Sequence, residues 1–582
     1  QDWGVGLHVY GQKNNITQTG KIMADGDYAI GIRLDGTQDN VLNLQSAVTA
    51  NGKGGNGIAV TWGRNHTVNI ANGASVKALG DGGVALRFDF GHNDIGDDVP
   101  STEIVGSYIY YTNYRHSPLG IIFPKANLLT ALNGPLVKQC NINGTIEGSE
   151  ASIYISKNAY VKEINIGTGT TIKGDIISEW NPKGMLFSES DPVFLENRLP
   201  ANEDGLTNIN INQTMSFSDN IIGSESLVLN VANGKNFSSG QDSISPYALR
   251  TVSTASTDSS PIVDVYRINV NTGATYNNSA NLYVRDTTAP SSSTDGAITI
   301  DGGHFNNSGN LIVGNGQGTI SVTNNGTFTQ SEAGSLTTTI DGSGNSTKIA
   351  LANNGTASLN GTLNIVPQKD FYGSQQTINL LADGSTGSYS MNNNLNINIL
   401  PTEGMTITHT VDGNGNIIIN RKRHFDTYGQ SAAQKALGQI LNDNLDYLGN
   451  LPEHGADWQK LFTELDAADG AGKASALKQM NPSIMHSSAQ ANLNTHSMLN
   501  NLNMLGSFSN NIPAAQTGGG LGPATDATPK YNAWRNIVMP FSAYTDQHRG
   551  SRGYTNHNSG VIGAMERTLE NGLTHGYHAA LN

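Results

Sequence analysis

Three short phrases, "IMADG" at residues 22–26, "VTANG" at 48–52 and "VKALG" at 76–80, share one design. Each places a β-branched residue four positions before a glycine, with alanine two positions in. The step from Ile22 to Val48 nearly equals the step from Val48 to Val76. Other landmarks keep the beat: branched aliphatics Ile16, Val41 and Val68 each follow by five residues the glycines Gly11, Gly36 and Gly63. "TIEG" (145–148) returns as "TIKG" (171–174), and "TYNNSANLYV" (275–284) as "HFNNSGNLIV" (304–313). A fixed period of this length marks stacked units that cannot bury their apolar faces alone. The runs are short, alternate apolar with small or polar residues, and are separated by NG, DG and GG turns, as half-buried strands are. No helix-length crossover separates them. The pattern predicts an all-β, right-handed parallel β-helix over residues 1–420, with roughly 14–17 coils of about 22–30 residues.

A chain of 582 residues is too long for one globular core but natural for an array that grows by addition. Its 68 glycines and 14% charged residues would suit a disordered chain, yet the periodic aliphatics stack enough apolar area to offset the entropy of ordering. Charge is 33 Lys+Arg against 47 Asp+Glu, a net −14, with no dense basic patch. Nucleic acid is therefore not an expected partner. The single cysteine, Cys140, allows no disulfide framework and no thiolate metal site, and reads as a small buried hydrophobe. The chain opens at Gln1, directly in the repeat, with no signal peptide and no run of 18 apolar residues. It reads as a fragment whose export signal lay upstream.

The repeat is expected to fill residues 1–360, with an irregular loop at about 181–204, where three prolines meet a cluster of acids. Residues 361–424 carry bulkier apolar and aromatic side chains and read as a C-terminal cap. From 425 to 510 the pattern turns helical. Ala433, Ala436, Leu437, Ile440 and Leu441 fall on one helix face, and further amphipathic stretches follow at about 456–466, 470–480 and 483–508. Residues 511–530 are a Gly/Pro/Ala/Thr linker. Strand pattern resumes over 531–582 in longer alternating runs, the weak dyad signal of a transmembrane β-barrel. A spanning sheet leaves no open edge in lipid, so this reads as the truncated start of a barrel.

"LFTELDAADGAGKASALKQMNPSIMHSSAQANL" and "YNAWRNIVMPFSAYTDQ…GYTNHNSGVIGAMERTLENGLTHGYHAALN" resemble the linker and opening barrel strands of the classical, monomeric autotransporters of Gram-negative bacteria. "FDFGHN" (88–93) and residues 151–178 are similar to passenger segments of that family. The resemblance implies a passenger exported through the pore of its own outer-membrane barrel, an autochaperone-like cap, and a helix at 483–508 threading that pore. It implies the outer membrane as partner through the barrel, with the passenger on the cell surface or released. Host or bacterial surface ligands, or like passengers, are the further partners it implies. Asn500-Asn501-Leu502-Asn503 is similar to the site where one subgroup cuts itself, which makes Asn500 and Asn501 candidate cleavage residues. The basic run Arg421-Lys422-Arg423 is an alternative cut site or a solvated helix start.

No catalytic constellation emerges. The chain lacks G-x-S-x-G, G-D-S-G and H-E-x-x-H. His575 and His578 lie three apart in an expected strand, which sends them to opposite faces, and His486 falls on the linker helix. No cofactor, metal or catalytic residue is expected. Aligning coils on Ile32, Ile58 and Leu86 sets Arg33 with Ala59 and Arg87, and Asp35 with Thr61 and Asp89. Residues two apart share a strand face, so Arg33, Asp35, Arg87 and Asp89 are expected to form an outward charged patch, a solvated ion-pair ladder. Asn277-Asn278 over Asn306-Asn307 reads as stacked polar turns rather than sugar contacts. The expected function is a surface-displayed passenger acting by contact, in adhesion, aggregation or biofilm. The alternatives are the stalk of an autotransporter protease or lipase whose catalytic domain lay upstream, or a β-helix carbohydrate-active enzyme.

Overall fold

The computed structural model describes residues 2, 4–35, 38–61, 63–89, 134–156, 159–182, 203–240, 260–287, 296–480, 534–547, 554–569 and 574–581. The chain divides into two compact units, residues 1–400 with 407–420, and residues 401–406 with 421–582.

The first unit is built mostly of parallel strands, and in its first coils the pairing skips two strands each time. Val5–Val9 pairs with Ile30–Leu34, that with Asn56–Val60, and that with Val84–Phe88. A second column begins Asn15–Gln18, Val41–Leu44, His66–Ile70, and a third Ile22–Ala24, Ala47–Ala50, Ser75–Ala78. Three strands per turn with in-register stacking is the geometry of a parallel β-helix. Alternation sets the faces. In "VLNL", Leu42 and Leu44 point inward and are fully buried, while Val41 and Asn43 are half-exposed. One inward column reads Leu42, Val68, Cys140, Ile164, Ile209, Leu229, Ile268. Cys140 takes an aliphatic's place there, and burial pushes its thiol up to about 12.

The repeated phrase has a steric origin. Ile22, Val48 and Val76 stack in register, as do Ala24, Ala50 and Ala78, which form a small buried cluster with Ala29. A Cβ at Gly52 would collide with the Gly26 carbonyl, and one at Gly80 with the Gly52 carbonyl. Glycine recurs because each turn lies against the backbone of the previous one.

The longest column holds thirteen rungs among the described residues, from Val5–Val9 to Asn396–Ile399. That is fewer than the 14–17 expected, because chain length is spent between rungs. Val84 pairs with Ala151, more than two ordinary coils further along the chain. Asn277-Asn278 and Asn306-Asn307 lie in strands and not in turns. Asn278 and Asn307 point into the core, where Asn278 Nδ2 donates to Asn307 Oδ1 (2.8 Å) and Asn307 Nδ2 to Gln330 Oε1 (3.2 Å). Beside them Phe237 meets Tyr276 edge-on at a centroid distance of 5.3 Å, and Tyr276, Phe305 and Phe328 stack at 4.9 and 5.7 Å. The strand Gln375–Ile378 departs from the parallel scheme and pairs antiparallel with Ile417–Asn420.

In the second unit, the helix Ala432–Gly449 opens on a capping box made by Ser431 and Gln434. Helices Gly455–Ala467 and Gly470–Gln479 follow. The buried face of the first is Gln434, Gly438, Leu441 and Leu445, about a residue round from the expected one, and Ile440 is exposed. Gly438 decides this: a Cβ there would meet the Asp426 backbone at 2.5 Å, so glycine admits the chain at Phe425–Tyr428. Arg421-Lys422-Arg423 is no solvated helix start. It ends the strand Ile417–Arg423 with both arginines buried, and Arg423 makes paired bonds to Asp466 at 2.9 and 2.6 Å. The strands Trp534–Gln547, Tyr554–Thr568 and Thr574–Leu581 form an antiparallel sheet. Residues 483–508, with His486, Asn500 and Asn501, lie outside the described residues, as does most of 181–204.

Candidate functional site

The alignment that brought Arg33 and Arg87 together matches the register: both pair with Ala59, and Asp35 and Asp89 lie two residues beyond on the same face. The solvated ladder is not what forms. Arg33 is 1% exposed and Asp35 7%. Arg33 Nη2 lies 3.2 Å from Asp35 Oδ2, and its Nε donates to Thr61 Oγ1 at 3.3 Å. His8, one rung before Arg33, sets Nε2 2.9 Å from the same Asp35 oxygen. The Arg33 guanidinium is thus held between the carboxylate of Asp35 and the hydroxyl of Thr61, and does not reach into solvent. Arg87 makes a separate pair with Asp89 at 3.3 Å, donates from Nε to Asn56 Oδ1 at 2.8 Å, and covers the Tyr154 ring at 4.7 Å. Tyr154 in turn donates to Glu179 Oε2 at 2.9 Å, and burial together with the Glu179 charge drives its phenol pKa far upward. The four residues thus form two ion pairs, each with further polar or ring partners.

The column continues. After Tyr154 come Ile177 and Ile222, then Asp264 and Tyr283. A second ionic cluster gathers at these rungs. Arg285 grips Asp264 with both Nε and Nη2 at 2.8 Å and lies 4.8 Å over Tyr283, and the Asp264 bonds hold its guanidinium pKa up. Arg267 pairs with Asp286 at 3.0 Å through Nε. Sequence reasoning missed this cluster because the coil is short. Aligning "IVDVYR" (262–267) on "NLYVRD" (281–286) needs a step of 19, outside the repeat's usual range.

A second outward column is chemically uniform. Asn43, Asn69, Asn141, Asn165, Asn210, Asn230 and Asn269 stack in register. From Asn69 onward each amide donates from Nδ2 to the Oδ1 of the asparagine one rung earlier, at 2.8, 2.8, 2.8, 2.8, 2.9 and 2.7 Å, while Asn43 donates to Asn15 Oδ1 at 2.7 Å. All seven are half-exposed. Thr17 precedes the run and Thr299 follows it.

Neither column offers a nucleophile beside a base. Among the described residues no group of His, Cys, Asp and Glu could hold a metal ion, and no helix is long and apolar enough to cross a membrane, which says nothing of a β-barrel. Compared with known proteins, the chain matches no family model and no curated sequence.

Proposed function

We propose that this chain is an autotransporter-type surface protein whose stack of coils works by contact, in adhesion or aggregation. The observation that carries the reading is the order of parts along the chain. A long parallel stack is followed by short amphipathic helices, and these by antiparallel strands of 14, 15 and 8 residues. The first two are long enough to reach across a bilayer's hydrocarbon core when tilted, about 9–11 residues being enough. On this reading the helices are a linker, the strands open an outer-membrane barrel, and the stack is the exported passenger. The ion pairs and the amide column support contact over catalysis, since Arg33, Arg87, Arg267 and Arg285 each already have a carboxylate. The test is expression of the full-length gene product in a Gram-negative host. Protease added to intact cells should release fragments of residues 1–420 while the strand region stays in the outer-membrane fraction. Recovery of the whole product in the soluble fraction, shielded from external protease, would overturn it.

A further inference from the structure

The run Arg421-Lys422-Arg423 is the only place where this chain sets Lys or Arg residues side by side. Paired basic residues are what one class of processing protease reads, and such a protease engages the basic side chain with a carboxylate in its pocket. The run also falls at a boundary. Asn420 is the last residue of the first compact unit, and Arg421 begins the longer part of the second. One hydrolysis here would sever the strand stack from the helices. Composition and position therefore suit a processing site, and the fold closes it.

A protease binds its substrate as an added extended strand, along a free backbone edge. The strand Ile417–Arg423 is the middle one of three, between Gln375–Ile378 and Met405–Val411, and His424 beyond it donates its backbone N–H to the Gly404 carbonyl at 2.9 Å. The protease must also take the basic side chain into its pocket. Arg421 and Arg423 are each 5% exposed, and Arg423 is held by Asp466, with Nε donating to Oδ1 at 2.9 Å and Nη2 to Oδ2 at 2.6 Å. A guanidinium favours this two-pronged grip, so the helix Gly455–Ala467 already supplies the carboxylate that a protease pocket would offer. The residues after the cut are anchored too. Phe425 is buried with its ring 6.4 Å from Phe462, and its N–H donates to Asn442 Oδ1 at 3.0 Å. Asp466, Phe462 and Asn442 all belong to helices, so departure of the helices from the strand end frees these anchors together. Lys422 alone of the three basic residues is exposed. The run is visible as charge and closed as a substrate.

We propose that Arg421-Lys422-Arg423 is a latent processing site, cut after Arg423 by a protease that reads paired basic residues, and locked by the Arg423–Asp466 pair while the helices are in place. In the cut, water adds across the Arg423–His424 peptide bond, leaving a carboxyl on Arg423 and an amine on His424. The inference rests on this local geometry and stands whether or not the chain is an exported passenger.

The experiment is digestion of the full chain with a kexin-type endoprotease, which cuts after Lys-Arg and so has one site in this sequence. The rate of fragment formation is read on gels, with a synthetic peptide of residues 417–428 as the unlocked reference. Cutting of a closed site follows the fraction of time that it is open, so the native chain should be cut at least about a hundredfold more slowly than the peptide. Asp466→Asn leaves Arg423 without its carboxylate and should be cut at least about tenfold faster than wild type. That variant also removes support from the helices, so Leu477→Ala is the second variant. Leu477 is buried in the helix Gly470–Gln479, and its truncation lowers the urea midpoint with the ion pair intact. For equal loss of midpoint, Asp466→Asn should still be cut at least about tenfold faster than Leu477→Ala. A native chain cut as fast as the peptide overturns the proposal. So does Asp466→Asn cut no faster than wild type, or Leu477→Ala matching it at equal loss of midpoint.

Discussion

Two stretches of one stack bury their inward residues very differently. In the middle, Ile209, Leu229 and Ile268 are 0–1% exposed. In the last rungs, Tyr389, Met391, Ile397 and Ile399 occupy inward positions too, since Ala357, Leu359, Leu363 and Ile365 pair with them and are buried, yet all four are only half-buried. Side-chain size is not the difference, because the last rungs are the bulkier. What differs is company: a middle rung has a neighbour on both sides, a last rung on one. The bulky residues of 361–424 accordingly split, with Leu363, Ile365, Ile378 and Leu380 sealed and Leu400 and Val411 exposed.

The contrast can be broken by mutation. Leu380→Asp sinks an unpaired charge into a fully buried site and should cost upwards of about 4 kcal/mol. If the C-terminal rungs template the stack, limited proteolysis will show resistance lost throughout residues 1–360. Loss confined to the rungs around 340–400 would mean that the middle folds without them. Ile209→Ala should cost about 2–5 kcal/mol and Ile397→Ala about 1 kcal/mol or less, read from urea midpoints. Equal costs would remove the distinction between the two regions.

Thiol labelling sharpens it further. Cys140, enclosed and with its ionisation suppressed, should resist alkylation in the native state, whereas a thiol introduced by Ile397→Cys should label at least about tenfold faster. The smallest effect is electrostatic. Burial raises the Asp175 carboxyl above its ordinary 3.8, against the pull of bonds from Asn220. A raised folded value means that the folded state holds the proton more tightly. Wild type should therefore lose stability relative to Asp175→Asn as pH rises from about 3.8 through the raised value. Below that window the difference should fade. A midpoint difference flat with pH would show that Asp175 titrates normally.

Much of this fold was legible in the sequence because the repeat writes its own register. Ile22, Val48 and Val76 stack as their spacing requires, and so do Arg33, Ala59 and Arg87. What spacing could not reveal was how deep an outward residue lies. Arg33 and Arg87 share a column and a residue type, but Arg33 is buried against Asp35 and Thr61, with His8 on the same carboxylate, while Arg87 lies over the Tyr154 ring and stays partly exposed. The asparagine ladder was hidden for another reason. Its successive rungs are separated by 26, 72, 24, 45, 20 and 39 positions, so no single period finds them. The helix face was misplaced by weighting Ala433 and Ile440 as core and overlooking Gly438, whose missing side chain is what the packing uses.

The pairing of Val84 with Ala151 carries a wider consequence. From Asn56 to Val84 the chain climbs one rung in a coil of ordinary length. From Val84 to Ala151 it spends more than twice as much chain on the same climb, yet the strands meet in the same register. A rung is specified by the strand beneath it and not by the length of chain that leads to it. Each junction between strands is therefore an independent place where new sequence can be added during evolution, or grafted by an engineer, without altering the layers above and below. Such a scaffold separates the segments that must be conserved for architecture from those free to diversify, and places the second kind at regular heights along a rigid axis.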